Sequence, residues 1–391
     1  MLNGPFSPWP CYTDEEKQAV LSVLDSNRVN YWTGNEARKF EQEFARYCKT
    51  EHAIALANGT VALDLCFSVL NLPRGSEVIV TSRTFIASVS SIVLSGLVPV
   101  FADISPDSQN ISAQTIAPLI TKNTAAILCV HLAGWPCEMD EINVLARQHD
   151  LYVVEDCAQA HGASYKGKPV GGLGHIAAWS FCQDKIMTTA GEGGMLTTND
   201  TQLWEKAWAF KDHGKSYQSV YEKSHPPGFR WLHESFGTNW RMTEIQSTVG
   251  RIQLRRMPDW HQQRENNAHC LQSVAASLPG LRVPSIPRHI QHAWYKCYVF
   301  VEPEKLAPDW NRDRIISRLN EMGVPCFSGS CSEVYREKAF DNTTWRPAQP
   351  LKYASELGST SLMFLVHPGI TQAEIEKSCE SLAQVMSEAV L

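Results

Sequence analysis

Short apolar runs alternate with longer segments of helical pattern between about residues 52 and 210. Each apolar run is four to six residues long, which is typical of a buried strand, and a turn follows it. This alternation predicts an α/β fold in which helices cover both faces of a mostly parallel sheet. The strand candidates are residues 53–57, 77–80, 98–101, 125–130 and 151–154, and residues 139–149 have a helical pattern.

The regular alternation stops after about residue 250. A change of this kind in a chain of 391 residues predicts a second domain. We expect a large domain over residues 1–250 and a smaller α+β domain over residues 251–391. The smaller domain contains a charged helix at 251–267, a Pro-bearing stretch at 278–287, a strand at 294–301 and amphipathic helices at 312–322 and 372–385.

Polar residues and glycines follow several of the predicted strands. In open α/β sheets, ligands bind at the carboxyl ends of the strands, so these residues are candidates for a site. In Asn58-Gly59-Thr60, glycine lets the backbone come close, and the helix that follows offers free N–H groups to a phosphate. A simple helix cap is the alternative. The segments at or just after strand ends are Asn58-Gly59-Thr60, Thr84-Phe85, His131 and Asp156.

Lys185 lies five residues after Ser180 and 29 residues after Asp156. Such a trio can hold pyridoxal 5'-phosphate: the Lys forms the Schiff base, the Asp pairs with the ring nitrogen and the Ser reaches the phosphate. Gln159 is placed to hydrogen-bond the ring's phenolic oxygen, and Phe85 to stack on the ring. The alternatives are a structural cap or a metal ligand for Asp156, a core position for Phe85 and a solvated surface position for Lys185.

The motifs together resemble the DegT/DnrJ/EryC1/StrS family of pyridoxal-phosphate-dependent sugar aminotransferases. The resemblance extends from about residue 5 to the C-terminus. It implies the aspartate-aminotransferase-like fold (fold type I), with a mostly parallel sheet of seven-stranded type in the large domain. The segments that carry it are residues 57–63, 84–85, 98–104, 131–134, 155–162, 180–185, 191–194, 239–244 and 365–368.

The resemblance also implies roles for individual residues. Lys185 and Asp156 would be catalytic, and His161 would line the substrate site. Asn239 would reach the phosphate of the neighbouring subunit, which makes the predicted enzyme a homodimer with shared active sites. Arg241 follows Asn239 at a turn into a helix, where both side chains can face an anion, and we assign it to substrate. The predicted cofactor-binding residues are Gly59, Thr60, Phe85, Asp156, Gln159, Ser180, Lys185 and Asn239.

The predicted reaction is the transfer of an amino group from L-glutamate to a nucleotide-linked keto-deoxysugar. Its product would serve lipopolysaccharide O-antigen, another surface glycan or a glycosylated natural product. Some relatives carry His in place of the Lys and catalyse dehydration, so the presence of Lys185 favours transamination. Two alternatives remain open: amination of a cyclic ketone, as in aminocyclitol synthesis, and a non-catalytic protein that binds pyridoxal phosphate.

Composition narrows the possible partners. The net charge of −6 argues against a nucleic-acid surface, and no apolar stretch is long enough to span a membrane. None of the 12 cysteines forms a C-x-x-C pair, so we predict no metal site. Reduced cysteines packed as small apolar residues indicate a cytoplasmic location.

Overall fold

The computed structural model describes residues 5–390, so the outermost residues of the two predicted domains, 1–4 and 391, lie outside the described residues. Its largest element is a seven-stranded sheet, which confirms the predicted sheet type. The strands of this sheet are β1 (His52–Leu56), β2 (Glu77–Thr81), β3 (Val98–Ala102), β4 (Thr124–Val130), β5 (Tyr152–Asp156), β8 (Ile176–Ser180) and β9 (Gly194–Thr198). The five strands predicted from the alternation are confirmed, with ends that differ by at most two residues.

The order of strands in this sheet is β1-β9-β8-β5-β4-β2-β3. From β3 to β8 all neighbours pair in parallel. β9 runs antiparallel to both of its neighbours, β8 and β1. The carboxyl ends of β1, β5 and β8 therefore meet at one edge of the sheet, where a ligand site is expected.

Helices pack on the large sheet, and further helices follow in the rest of the chain. Their apolar faces and the sheet residues form the main buried clusters. None of the helices between residues 5 and 390 is both long and apolar enough to cross a membrane. The helices are α1 (Asp14–Asp25), α2 (Glu36–Cys48), α3 (Gly59–Leu70), α4 (Ile86–Leu94), α5 (Ala113–Ile116), α6 (Met139–Gln148), α7 (Thr201–Phe210), α8 (Tyr217–Tyr221), α9 (Glu244–Ser277), α10 (Arg312–Glu321), α11 (Lys352–Thr360) and α12 (Gln372–Ala389).

Smaller sheets complete the fold. A second sheet has four strands in the order β10 (Leu281–Arg282), β12 (Cys297–Val301), β14 (Ser361–Phe364) and β13 (Cys326–Phe327). It has its own apolar core with α10 and α12, as an α+β unit requires. Helix α9 runs without interruption across residue 250 and packs on α1, α2 and α12, so the division at that residue stays a prediction. The remaining strands are β6 (Ser164–Tyr165), β7 (Lys168–Pro169) and β11 (Ile290–Gln291).

The fully buried carboxylate of Glu155 holds the end of β5 in place. It accepts four hydrogen bonds, from His131 Nε2 at 3.0 Å and from the backbone N–H groups of Gly171, Leu173 and Gly174 at 2.7–2.9 Å. Burial by itself would raise the pKa of Glu155, but these hydrogen bonds, led by that of His131, lower it below its usual value. The ionised carboxylate thus ties β5 to the end of β4 and to the loop before β8.

Cys157 lies beside this network, and potential metal-ligand atoms of His131, Glu155 and Cys157 lie within 4.8 Å of one another. Hydrogen bonds already occupy the carboxylate, and Nδ1 of His131 accepts from the Cys137 N–H at 3.0 Å. Burial raises the pKa of the Cys157 thiol well above its usual value, whereas a metal would need the thiolate. The arrangement is that of a hydrogen-bonded structural cluster.

We predict that Glu155→Gln lowers the free energy of unfolding at pH 7 by about 2–4 kcal/mol, the range for breaking a buried charged network. An amide NH₂ would face two N–H donors that now meet an oxygen, so both hydrogen bonds would be lost. Because folding lowers the pKa of Glu155, its contribution is complete above about pH 4.3 and is lost as the pH falls through the folded-state value. Denaturant unfolding of both proteins between pH 7 and pH 3.5 measures this difference.

Glu138→Gln is the matched control. Glu138 also pairs with a histidine, His289, at 2.9 Å, but both side chains are more than a third exposed. Its replacement should change the free energy of unfolding by less than about 1 kcal/mol. Equal effects of the two substitutions would show that the Glu155 network does not stabilise the fold in the way described.

Candidate active site

Gly59 and Ser180 approach each other at the carboxyl edge of the sheet. Gly59 begins α3 after β1, and Ser180 ends β8. A Cβ atom on Gly59 would lie only 2.6 Å from the Cβ of Ser180, so a larger residue cannot occupy this position without displacing its neighbour. The chain therefore brings a helix N-terminus against a serine hydroxyl.

The first turn of α3 provides hydrogen-bond donors at this point. The side chain of Asn58 caps the helix by accepting from the Val61 N–H at 3.0 Å. The N–H groups of Gly59 and Thr60 belong to the same turn, where no partner exists within the helix. Thr60 is exposed and carries a further hydroxyl. Together with Ser180, these groups form a cradle that suits a phosphate.

Asp156 ends β5 and is 5% exposed. Its carboxylate accepts one hydrogen bond from Ser88 Oγ at 2.8 Å and another from the Ala158 N–H at 3.1 Å, which fix its orientation. Burial raises the pKa of Asp156 above its usual value, and these hydrogen bonds and the charge of Lys185 oppose that change. A cation in contact with the carboxylate would favour the ionised form further.

Lys185 is mostly buried, with 18% of its side chain exposed. Its Nζ lies 3.5 Å from Oδ1 of Asp184 and 5.3 Å from the centre of the Tyr295 ring. The hydroxyl of Tyr295 donates to the other oxygen of Asp184. The indole of Trp9 donates to the Lys185 carbonyl at 2.8 Å. Contacts from distant parts of the sequence thus hold both the backbone and the side chain of Lys185.

Gln159 and Phe85 are predicted from the sequence to hydrogen-bond the phenolic oxygen and to stack on the ring, and these roles stay predictions. The carbonyl oxygen of the Gln159 side chain accepts from the Ala133 N–H at 2.7 Å, which leaves its NH₂ group available as a donor. Phe85 caps α4 and is 70% exposed, so its ring is free to stack on a ligand. The alternative of a core position for Phe85 is therefore wrong.

The side chains of His161 and Arg241, both predicted to contact substrate, have little exposed surface. His161 is fully buried between Trp179 and Phe181, and burial, helped by the charge of Lys185, lowers its pKa to about 3. Arg241 forms an ion pair with the buried Asp212 at 2.6 Å. The substrate roles of His161 and Arg241 stay predictions.

Asn239 has an exposed side chain, which makes no hydrogen bond with residues 5–390. It lies two residues before Arg241, and its backbone forms a bridge with Asp212. An exposed amide with no partner among the described residues remains available to a ligand or to a second subunit, and its role across subunits stays a prediction.

Ser88 and Tyr295 contribute to the site without having been identified from the sequence. Ser88 lies 68 residues before Asp156, and Tyr295 lies 111 residues after Asp184, so only the fold brings the members of each pair together. Ser88 is one of three serines in helix α4, with Ser90 and Ser91, so its residue type does not distinguish it. No signal distinguishes Tyr295 either.

Curated relatives and solved structures share this architecture. The chain is 36% identical to the GDP-perosamine synthase of Caulobacter vibrioides over 96% of its own length and 97% of that protein. It is 35% identical to the dTDP-3-amino-3,4,6-trideoxy-alpha-D-glucose transaminase of Streptomyces venezuelae, covering 79% of this chain and 76% of the relative. An aminotransferase structure from Psychrobacter cryohalolentis is 57% identical with a TM-score of 0.97, over 98% of this chain and 99% of that one.

The family match covers almost the whole sequence, from residue 10 to residue 383. This range includes both the cradle around Gly59 and Ser180 and the carboxylate and lysine described above. It confirms the resemblance from which the roles of these residues were inferred. The chain belongs to the DegT/DnrJ/EryC1/StrS aminotransferase family.

Proposed function

We propose that the protein uses pyridoxal 5'-phosphate to move an amino group from L-glutamate to a nucleotide-linked keto-deoxysugar. The observation that carries this proposal is the meeting of a phosphate cradle, a buried carboxylate and a lysine at one edge of the sheet. The cradle contains Gly59 and Ser180, the carboxylate is Asp156, and the lysine is Lys185, which is mostly buried.

The donor set fits the proposed cofactor. The cradle can accept the phosphate, the fixed carboxylate of Asp156 has no cation in contact with it among residues 5–390, and the exposed ring of Phe85 offers a stacking face. The free NH₂ of Gln159 can donate to the phenolic oxygen. When bound, pyridoxal phosphate supplies an electron-withdrawing ring that stabilises negative charge on the substrate carbon.

Lys185 and Asp156 have different tasks in this proposal. Lys185 is the nucleophile that holds the cofactor covalently, and its Nζ then carries the proton to and from the substrate carbon. Asp156 keeps the ring nitrogen protonated, because an ionised carboxylate in contact favours the cationic form. His161 is unsuited to proton transfer near pH 7, since its pKa is about 3.

The substrate class rests on the relatives. One is named for the synthesis of GDP-perosamine and another for the transamination of a dTDP-linked amino sugar. Both names describe an amino group on a sugar that is attached to a nucleotide. We infer the same class of acceptor here, with its product used in polysaccharide synthesis. The free cysteines, most of them buried, support a reducing cytoplasmic compartment for this chemistry.

We also propose a homodimer with shared active sites. Phe229, Trp231 and Phe236 are 77%, 84% and 100% exposed, and large aromatic side chains in such number are unusual on a free surface. They precede Asn239, whose amide is exposed and has no side-chain partner in residues 5–390. A second copy that covers this segment would bring Asn239 to the neighbouring cradle.

The proposed activity has a direct test in the absorbance of the purified enzyme. L-glutamate alone should convert the bound cofactor from its aldehyde-level to its amine-level spectrum, and a nucleotide-linked keto sugar should reverse the change. Lys185→Ala should reduce turnover by several orders of magnitude, which is the scale for losing a covalent catalyst. Borohydride treatment followed by peptide mapping should label Lys185. A label on another lysine, or no spectral response to any amino acid, contradicts the proposal.

The cradle predicts a separate effect on cofactor affinity. In Gly59→Ala, the new methyl group would lie 2.6 Å from the Cβ of Ser180 and force the cradle apart. We expect the Kd for pyridoxal phosphate to rise by about tenfold or more, as for the loss of one or two hydrogen bonds to a charged group. Equilibrium titration of the apoenzyme measures it. Gly358→Ala is the control for a glycine substitution, because Gly358 lies within helix α11, where a Cβ would be 3.2 Å from its nearest neighbour, the Cβ of Ser332.

Shared active sites predict recovery of activity in mixed dimers. Lys185→Ala and Asn239→Ala should each be poorly active alone. In a heterodimer, one site would contain both substitutions, while the other would combine an intact Lys185 with the partner's intact Asn239. We therefore expect up to half of the wild-type activity per dimer, measured after purification through two different affinity tags.

The alternative arrangement gives a different result in the same experiment. If Asn239 served the active site of its own chain, each site of the heterodimer would carry one substitution and no activity would return. A fully active Asn239→Ala homodimer would also count against the shared site.

A further inference from the structure

An excess of positive charge surrounds the site lysine. Three cationic side chains, Lys185, Lys296 and Arg264, lie around the ring of Tyr295. Among residues 5–390, Asp184 is the one carboxylate in contact with this group. It is already engaged, because it pairs with Lys185 at 3.5 Å and accepts from the Tyr295 hydroxyl. Lys296 and Arg264 have no counter-charge in contact within the described part of the chain.

Lys296 is more accessible than Arg264. Its Nζ lies 4.7 Å from the centre of the Tyr295 ring, and it makes no hydrogen bond or ion pair with residues 5–390. The side chain is partly exposed. Burial, together with the nearby charges of Arg264 and Lys185, lowers the pKa of Lys296 to about 8, although Asp184 opposes the change.

Arg264 is 1% exposed, and none of residues 5–390 gives it a carboxylate partner. One of its terminal nitrogens donates to the Trp294 carbonyl at 3.3 Å, and its guanidinium lies 5.2 Å from the Trp9 ring. Its Nε has no hydrogen-bond partner among the residues that the structure describes. Burial lowers the pKa of Arg264 to about 9. Burying a cation without a counter-charge is costly, so its presence indicates a field that serves an anion.

We propose that Lys296 binds an anionic group of a substrate beside Lys185, in a positive field to which Arg264 contributes. Both lysine ammonium groups lie within 5.3 Å of the centre of one ring, so the anion would belong to a molecule that also reaches Lys185. A partly exposed ammonium with three free donors can bond to carboxylate or phosphate oxygens. The assignment goes beyond the cofactor site, since Lys296 is not among the residues proposed to hold the cofactor.

The identity of the anion rests on the proposed function. The amino donor would bring a carboxylate one bond from its reacting carbon, and the nucleotide-linked sugar would bring a diphosphate across one sugar ring. Both sources offer the same chemistry, an anionic oxygen close to Lys185. Two unreactive probes separate them: glutarate carries the carboxylates of the donor without its amino group, and inorganic pyrophosphate represents the diphosphate.

The test is calorimetric binding of each probe to the enzyme with its cofactor bound. We expect one probe to bind the wild type and to lose about 10- to 100-fold in affinity in Lys296→Met, the range for a hydrogen bond between charged groups. Lys296→Arg should retain most of the affinity. In steady-state kinetics, the KM of the matching substrate should rise in Lys296→Met while kcat changes much less, and the KM of the other substrate should stay constant.

Lys352→Met is the matched control, because Lys352 also lies 4.7 Å from the ring of the next residue, Tyr353, but is exposed on α11. It should bind the probes as the wild type does. A measurement on the wild type itself does not depend on whether a variant folds. Its affinity for the probe should fall as the pH rises through about 8, where Lys296 loses its charge. The same pH series on Lys296→Arg should show no such fall.

The outcomes separate this inference from the proposed function. Equal affinity of the wild type and Lys296→Met for both probes, or no binding of either probe to the wild type, overturns the anion site. Because the probes do not react, these results are readable even if the enzyme fails to transfer an amino group from glutamate. A wild type that binds a probe through Lys296 but shows no transfer would refute the proposed function alone.

Discussion

The site depends on the carboxylate of Glu155, which is buried and yet charged. Four hydrogen bonds to it join the end of β4, the end of β5 and the loop that leads into β8. Successive residues of a strand point to opposite faces, so fixing Glu155 on one face directs Asp156 to the other. The backbone also contributes, because the His131 N–H donates to the Asp156 carbonyl at 3.2 Å. A structural hydrogen-bond network on one side thus orients a functional carboxylate on the other.

Charge is unevenly distributed across the site. Among residues 5–390, the side of Asp156 has a buried carboxylate without a cation in contact, whereas the side of Lys296 has three cations and one contacting carboxylate, that of Asp184. Such a division gives the pocket a polarity of its own before any ligand binds. A molecule with separated charges would have a preferred direction of entry, and the aromatic rings of Tyr295 and Phe85 would limit its tilt.

The sequence predicts those parts of the site that local patterns determine. Strand ends can be located from short apolar runs, so Gly59 and Asp156 are found at the right edge of the sheet. The antiparallel strand β9 is not found in this way, because it pairs with its neighbour β1 between residues that are far apart in the sequence, such as Thr198 and His52. Helices α1 and α2 precede the alternating region and have no counterpart among the predicted elements.

Contacts between distant residues account for what the sequence does not predict. Ser88, Glu155 and Tyr295 each act through a partner that the fold supplies, and their residue types alone carry no sign of it. Glu155 is adjacent to Asp156 in a motif that identifies the family, yet only the positions of Gly171 and Gly174 show why a second acid is needed. The resemblance to a family identifies the residues, and the hydrogen-bond geometry explains them.

Helix α9 has a mechanical consequence. It begins at Glu244, whose carboxylate accepts from the backbone N–H of Ala37 in α2, and after 34 residues it ends at Ser277 beside the four-stranded sheet. Pro258 lies within it and lacks the N–H that would close the turn. The 19 residues beyond Pro258 form a rod of about 28 Å. A change of about 5° at this proline would move the far end by roughly 2–3 Å, so a small angular adjustment there would become a displacement as long as a hydrogen bond.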